Sequence, residues 1–143
     1  MKMKLTRVQK EKIQEIGKKY KLKLMLLHGS YATGKQRKDS DIDIAVLGKK
    51  PIDSRVCAKI YSELENLFVS GLDKELDFKS LHRADPFFVY KVANESALLY
   101  GSLSDYEEFK AYAFKLYYDS EDLRKLEKKM VYKFQDYLNL KYA

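Results

Sequence analysis

Apolar and polar positions alternate in distinct rhythms along this chain, and each rhythm predicts an element. Thr6-Arg7-Val8-Gln9 reads as a capping box that opens a helix, with Val8, Ile13 and Ile16 as a sparse apolar stripe and Gly17 near its end. Leu22 to His28 (LKLMLLH) is a short, nearly continuous apolar run followed by Gly-Ser, the pattern of a buried strand. Residues 29–40 (GSYATGKQRKDS) are polar with two glycines and read as a loop with one helical turn. Asp41 to Leu47 (DIDIAVL) alternates and then turns apolar, which predicts a second strand with an acidic mouth.

Pro51-Ile52-Asp53-Ser54 starts a long helix. Val56, Ile60, Leu64, Leu67 and Phe68 line one face of it, and Gly71 closes it. Glu75 to Leu81 alternates as a third strand, with Leu76 and Phe78 on one face and Glu75, Asp77 and Lys79 on the other. Asp85-Pro86 opens another helix. Ser104-Asp105-Tyr106-Glu107 reads as a second capping box, and the remainder is helical with a break at Asp119-Ser120. The expected order is helix, strand, strand, helix, strand, then helices. It defines an α/β (α+β) fold, a small mixed sheet with flanking helices and a helical C-terminal tail. Residues 1–103 form the expected core and 104–143 an extension packed on the core or on a partner. The aromatic tail, with Tyr106, Phe109, Tyr112, Phe114, Tyr117 and Tyr118, is read as core, part of it left over as a partner face.

At 143 residues the chain is one domain, able to bury roughly two thirds of its unfolded surface. It is too short for a separate substrate-binding domain. With 45% apolar and 34% charged residues it is neither disordered nor membrane-embedded. The basic N-terminus lacks the apolar stretch of a signal peptide. One cysteine, Cys57, excludes a disulfide framework and a cysteine zinc site, and the expected compartment is the cytoplasm. Residues 1–38 hold 12 Lys/Arg against 2 Asp/Glu, so the net charge of +7 is concentrated at the N-terminal end. That end either attracts a polyanion or is a solvated lysine face.

The chemistry lies in His28 to Val46, HGSYATGKQRKDSDIDIAV. Residues i and i+2 of a strand point the same way, so Asp41 and Asp43 share one face with Cα atoms about 6–7 Å apart. Two carboxylates so placed resist joint ionisation unless a cation sits between them. With no His or Cys in the cluster, oxygen ligands select a hard cation, Mg²⁺ or Mn²⁺. Gly29-Ser30 permits close approach of a phosphate, with Ser30 and nearby amides as donors. Lys35, Arg37 and Lys38 add positive charge, and Ser40 lies at the approach to the acids. A metal site beside an anion cradle suits a nucleoside triphosphate.

Gly-Ser, ten residues, then Asp-x-Asp resembles the signature of the nucleotidyltransferase superfamily typified by DNA polymerase beta. The fuller string GSYATG…DSDIDIAV resembles the minimal nucleotidyltransferase (MNT) branch, the antitoxin partners of HEPN toxins. The close match covers about 19 residues; the element order agrees over roughly residues 1–100, and the stretches Asp85–Phe88 and Leu98–Tyr100 also look like the branch. The resemblance implies the nucleotidyltransferase fold, two metal ions at the paired acids, ATP as substrate and a third carboxylate on a later strand. Asp77 matches that position, with Glu75 on the same face as the fallback. It implies AMP transfer to a tyrosine of a HEPN ribonuclease, silencing it. The chain has no Arg-x4–6-His ribonuclease motif, so it would be the antitoxin. The family often has an Arg nearer the motif's start. Here the phosphate-clamping cation is one of Lys35, Arg37 and Lys38.

Two other readings stay open. The chain could neutralise a toxin by complex formation alone, with nucleotide as a structural ligand, or could modify a small-molecule acceptor such as an aminoglycoside antibiotic. The basic N-terminal third counts against a cationic sugar. Direct nucleic-acid binding is disfavoured because aromatic and basic residues are not interleaved. A homo-oligomer or a hetero-oligomer with the toxin is open. His28 is read as a satisfied buried histidine, His82-Arg83 as a surface turn and Cys57 as packed.

Overall fold

The computed structural model describes residues 4–35, 41–69 and 75–142. Its elements are α1 (Arg7–Lys19), β1 (Leu22–His28), α2 (Ser30–Thr33), β2 (Ile42–Gly48), α3 (Ser54–Phe68), β3 (Leu76–Ser80), α4 (Pro86–Asn94), β4 (Ser96–Tyr100), α5 (Leu103–Asp119) and α6 (Glu121–Tyr142). The four strands form one mixed sheet in the order β3-β2-β1-β4. β1 pairs antiparallel with β2 and β4, and β2 pairs parallel with β3 across the α3 crossover.

Local chemistry explains where the helices start. Thr6 Oγ1 accepts from the Gln9 amide while Gln9 Oε1 accepts from the Thr6 amide, the reciprocal box expected at α1. Asp53 caps α3 by accepting from the Val56 amide, and Asp85 caps α4 by accepting from the Phe88 amide, with Pro86 in the first turn.

The sheet is covered on both faces. On one face, Met25, Leu27, Ile42, Ile44, Val46 and Leu76 pack against Ile13 and Ile16 of α1 and Ile60, Leu64 and Phe68 of α3. On the other, Leu24, Leu26 and Ala45 pack against Val89, Val92 and Ala93 of α4 and Tyr106, Phe109 and Ala113 of α5. A register shift between Leu22 and Leu24 sends these two residues to opposite cores, although simple alternation would put them together.

Several sequence expectations are corrected. Ser96–Tyr100 is a fourth strand rather than the continuation of helix, and it makes β1 a central strand. Gly17 does lie near the end of α1, as expected, with the helix running on to Lys19. It lies under the Tyr100 ring of β4, where a Cβ would collide. The cap of α5 is Ser102, whose hydroxyl accepts from the Asp105 amide, not Ser104. Val8 is exposed rather than part of the buried stripe. Gly71 lies outside the described residues; α3 ends at the Val69 cap. Of the tail aromatics, Tyr106 and Phe109 are core, Tyr117 stacks on Tyr90 of α4 at 4.0 Å, and Tyr112, Phe114 and Tyr118 face solvent. α6 buries no residue at all.

Candidate active site

The strand registers line up four polar residues. His28 is opposite Asp43, Asp43 is beside Asp77, and His28 is opposite Ser96. Register partners project from the same side of a sheet, so Ser96, His28, Asp43 and Asp77 form one row across all four strands. The row lies on the α4–α5 face, one same-face step beyond Leu26 and Ala45, where the hydrocarbon core ends. Asp41 stands just before β2 and is exposed; the amide of the next residue, Ile42, donates to the Glu75 carbonyl at 3.0 Å. Asp77, not Glu75, is the register partner of Asp43.

The electrostatics of the row are those of crowded acids. The Asp43 carboxyl is pushed up to about 6, first by burial, then by the negative charges of Asp77 and Asp41 and by a side-chain hydrogen bond with Asp77. Lys79, two residues along β3 from Asp77, pulls it in the other direction. No group of three or more His, Cys, Asp and Glu side chains among the described residues is preassembled as a metal cage. In its place Asp43 and Asp77 satisfy each other with a hydrogen bond. The donor set is all carboxylate oxygen, and the repulsion that raises Asp43 is what a divalent cation relieves, so these residues fit a hard metal ion.

Gly29 closes the row from the side. It has φ 72° and ψ −151°, a backbone conformation in practice confined to glycine, and a Cβ there would collide with the Asp43 carboxylate. This turn caps the four-residue α2, so Ser30 starts the helix immediately beside the acids, while Tyr31 is buried in the α1–α3 core. The carbonyl of Gly29 accepts from the amides of Ala32 and Thr33, and the Lys35 amide donates to the Ser30 carbonyl at 3.0 Å, which curls the segment back on itself. Lys35 is exposed; Arg37, Lys38 and Ser40 lie outside the described residues.

The expectation of a satisfied His28 is corrected. Its Nε2 is buried without a hydrogen-bond partner among the described residues, and its ring meets Phe88 of α4 edge-on at 5.7 Å. Burial lowers its pKa, opposed by the Asp77 charge and reinforced by Lys79 and Lys91. Lys79, whose ammonium lies 5.0 Å from the Phe88 ring centre, and Lys91 are two cations near the row that sequence reasoning missed. The signal for Lys79 was its two-residue spacing from Asp77. His82 behaves as the expected turn: its Nε2 accepts from the Gly48 amide at 2.9 Å, and Arg83 takes a positive φ of 57°. Cys57 is half-buried on α3, and burial raises its thiol pKa.

A small α/β sheet with acids on neighbouring strands beside a glycine turn defines a class, and comparison with known proteins agrees. The family described as polymerase beta, nucleotidyltransferase matches residues 11–105. The chain belongs to that nucleotidyltransferase family. It is 34% identical over 97 residues to the protein adenylyltransferase MntA of Shewanella oneidensis, a match that spans 68% of this chain and 67% of that protein. It is similar to a chain in the crystal structure of a toxin-antitoxin with AMP-PNP, at a TM-score of 0.69 and 28% identity over 85% of this chain and 97% of that one. It is also similar to a chain in the structure of tri-AMPylated Shewanella oneidensis HEPN toxin in complex with MNT antitoxin. There the TM-score is 0.67 with 26% identity, over 89% of this chain and 98% of that one. No helix among the described residues is long and apolar enough to cross a membrane.

Proposed function

We propose that this chain is a protein adenylyltransferase that moves AMP from ATP to a tyrosine hydroxyl of a HEPN-family toxin and so acts as its antitoxin in the cytoplasm. The observation that carries this reading is the in-register pair Asp43–Asp77, flanked by Asp41 and abutted by the glycine-only turn at Gly29. The similarity to MntA and to the complexes with AMP-PNP and with an AMPylated toxin supplies the acceptor class.

In the reaction the acceptor oxygen bonds to the α-phosphorus, the bond from that phosphorus to the bridging oxygen breaks, and pyrophosphate leaves with that electron pair. Asp41, Asp43 and Asp77 would hold Mg²⁺ or Mn²⁺, two ions in the family's manner, and the chemistry such ions would supply there is a lower pKa for the attacking hydroxyl and neutralisation of charge on the leaving oxygens. Asp77 takes the hydroxyl proton. Gly29 lets the backbone approach the β- and γ-phosphates, and the Ser30 hydroxyl donates to them. Lys35, Arg37 and Ser40 would supply further contacts to the phosphates. Most of the acceleration comes from positioning and from charge neutralisation. Residues 1–103 carry the chemistry, and 104–143 form an extension of which α5 packs on the core.

The test is transfer of label from α-labelled ATP to the co-expressed HEPN protein, followed by its intact mass. The expected result is incorporation of AMP that disappears with Asp43→Ala. Undiminished labelling by that variant overturns the role of the row, and an unlabelled HEPN protein with active enzyme overturns the acceptor.

A further inference from the structure

We propose that α6 is a self-association helix that pairs antiparallel with α6 of a second copy of this chain, about a two-fold axis at Met130. Leu123, Leu126, Met130, Phe134 and Tyr137 are each 53–61% exposed, on a helix that buries nothing. At about 100° per residue they fall within roughly 40° of Met130 on either side, a straight stripe about 21 Å long. Their spacings are three, four, four and three, so the stripe reads the same in both chain directions. Antiparallel pairing about Met130 therefore sets Leu123 against Tyr137, Leu126 against Phe134 and Met130 against itself, with no apolar residue of the stripe left facing a gap. It also evens out volume: the aromatic half of one helix meets the leucine half of the other. Parallel pairing would stack rings on rings at one end and leucines on leucines at the other. Charge selects the same direction. The first turn carries Asp122 and Glu121, the latter also paired to Lys125 of its own helix at 3.2 Å, and the last turn carries Lys141. Antiparallel pairing brings acidic and basic ends together and opposes the two helix dipoles, whereas a parallel pair would join like ends.

The pairing does not rest on the adenylyltransferase reading, because the stripe contains no residue of the acidic row. The test is analytical ultracentrifugation of the full chain together with cysteine cross-linking in a Cys57→Ser background. The expected result is the mass of two chains, reduced to one by Leu126→Glu with Phe134→Glu while helicity and nucleotidyl transfer are retained. Met130→Cys is expected to form an interchain disulfide on mild oxidation, faster than Leu126→Cys alone. A mixture of Leu126→Cys and Phe134→Cys chains is expected to cross-link to each other. A one-chain mass for the unsubstituted protein overturns the proposal. So does equal self-cross-linking at 126, 130 and 134, which marks a parallel pair, and so does a Met130 that becomes shielded only when a HEPN protein is added, which marks a different occupant.

Discussion

Asp43 and Asp77 lie side by side across the parallel β2–β3 pair, and their carboxyl groups share a hydrogen bond. A hydrogen bond between two acids needs a proton between them, and it adds to burial, the larger cause, and to the charges of Asp77 and Asp41 in pushing the Asp43 carboxyl up to about 6 from its ordinary 3.8. The pair thus holds one positive charge in the form of a proton where a divalent cation fits.

The consequence for stability has a definite sign. With its folded pKa above its unfolded one, Asp43 binds more protons in the folded state between pH 3.8 and about 6. Its favourable contribution is complete below that window and is lost as pH rises through it. Asp43→Asn should therefore be more stable than the unsubstituted protein at pH 7, by about 1 kcal/mol once solvent screening of this half-exposed group is allowed for. The two should converge near pH 4. Millimolar Mg²⁺ should raise the melting temperature of the unsubstituted protein at pH 7 and leave the variant almost unmoved. Thermal unfolding across pH, with and without the ion, measures all three effects. The same variant should lose nucleotidyl transfer by roughly 100-fold or more, since one of the carboxylates that would hold the metal ions is gone.

Gly29 couples backbone conformation to the same carboxyl. Gly29→Ala must either leave the glycine-only region, which dismantles the α2 turn, or push its methyl into Asp43. A cost of about 1–3 kcal/mol in chemical denaturation is expected. Transfer activity should fall even at temperatures where the variant is fully folded, because Asp43 is displaced. A variant with unchanged stability and activity would show that the turn does not brace the acid.

His28 titrates in the opposite sense. Burial favours its neutral imidazole, and its Nε2 has no partner among the described residues. A histidine whose folded pKa is depressed destabilises the fold once pH drops below its unfolded value, about 6.5. His28→Leu removes an unsatisfied buried nitrogen while filling similar space beside Phe88. Its stability at pH 7 should be unchanged or higher by a few tenths of a kcal/mol, about what replacing an unpaired polar group yields. At pH 5 the gain should be larger. Urea titrations at the two pH values separate this from a purely steric effect, which would be the same at both.

Much of this arrangement could be read from the chain, and what could not has a physical reason. β1 was legible as a short apolar run and β2 and β3 as alternating strands, which put Asp41 with Asp43 and Asp77 with Glu75 on shared faces, while the family resemblance singled out Asp77. Which acids meet was not legible, because lateral register depends on how strands slide and on the crossover between β2 and β3. Asp77 and Glu75 are equivalent by alternation, and in the structure the pairing of Asp43 with Asp77 separates them. β4 was missed because Ser96–Tyr100 follows α4 after a single residue, Glu95. Its Ala-Leu-Leu core is apolar on both sides, so no rhythm distinguishes it from a buried helical turn. That omission also displaced the next cap. Ser102 and Ser104 both precede an acid three residues on, and the Gly101 turn at the end of β4 decides for Ser102. With β4 unseen, the polar row could not be extended to Ser96, nor His28 placed mid-sheet between two strands.

The Ser96 end of the row is anchored from α5. The Tyr106 hydroxyl lies 2.7 Å from Ser96 Oγ and donates to the Ser96 carbonyl at 3.0 Å. Tyr106 is otherwise buried among Leu26, Val92 and their neighbours in the α4–α5 core. Its ring thus supplies apolar packing while its hydroxyl ties the first residue of β4 to α5, the helix that follows it. Tyr106→Phe keeps the packing and removes only the tie, so a loss of about 1 kcal/mol is expected in chemical denaturation. Amide exchange should quicken along β4, which pairs with only one neighbouring strand and depends on that anchor, while β2 and β3 stay protected. Uniform exchange across the sheet would mean that the hydroxyl contributes to global stability without holding β4 in place.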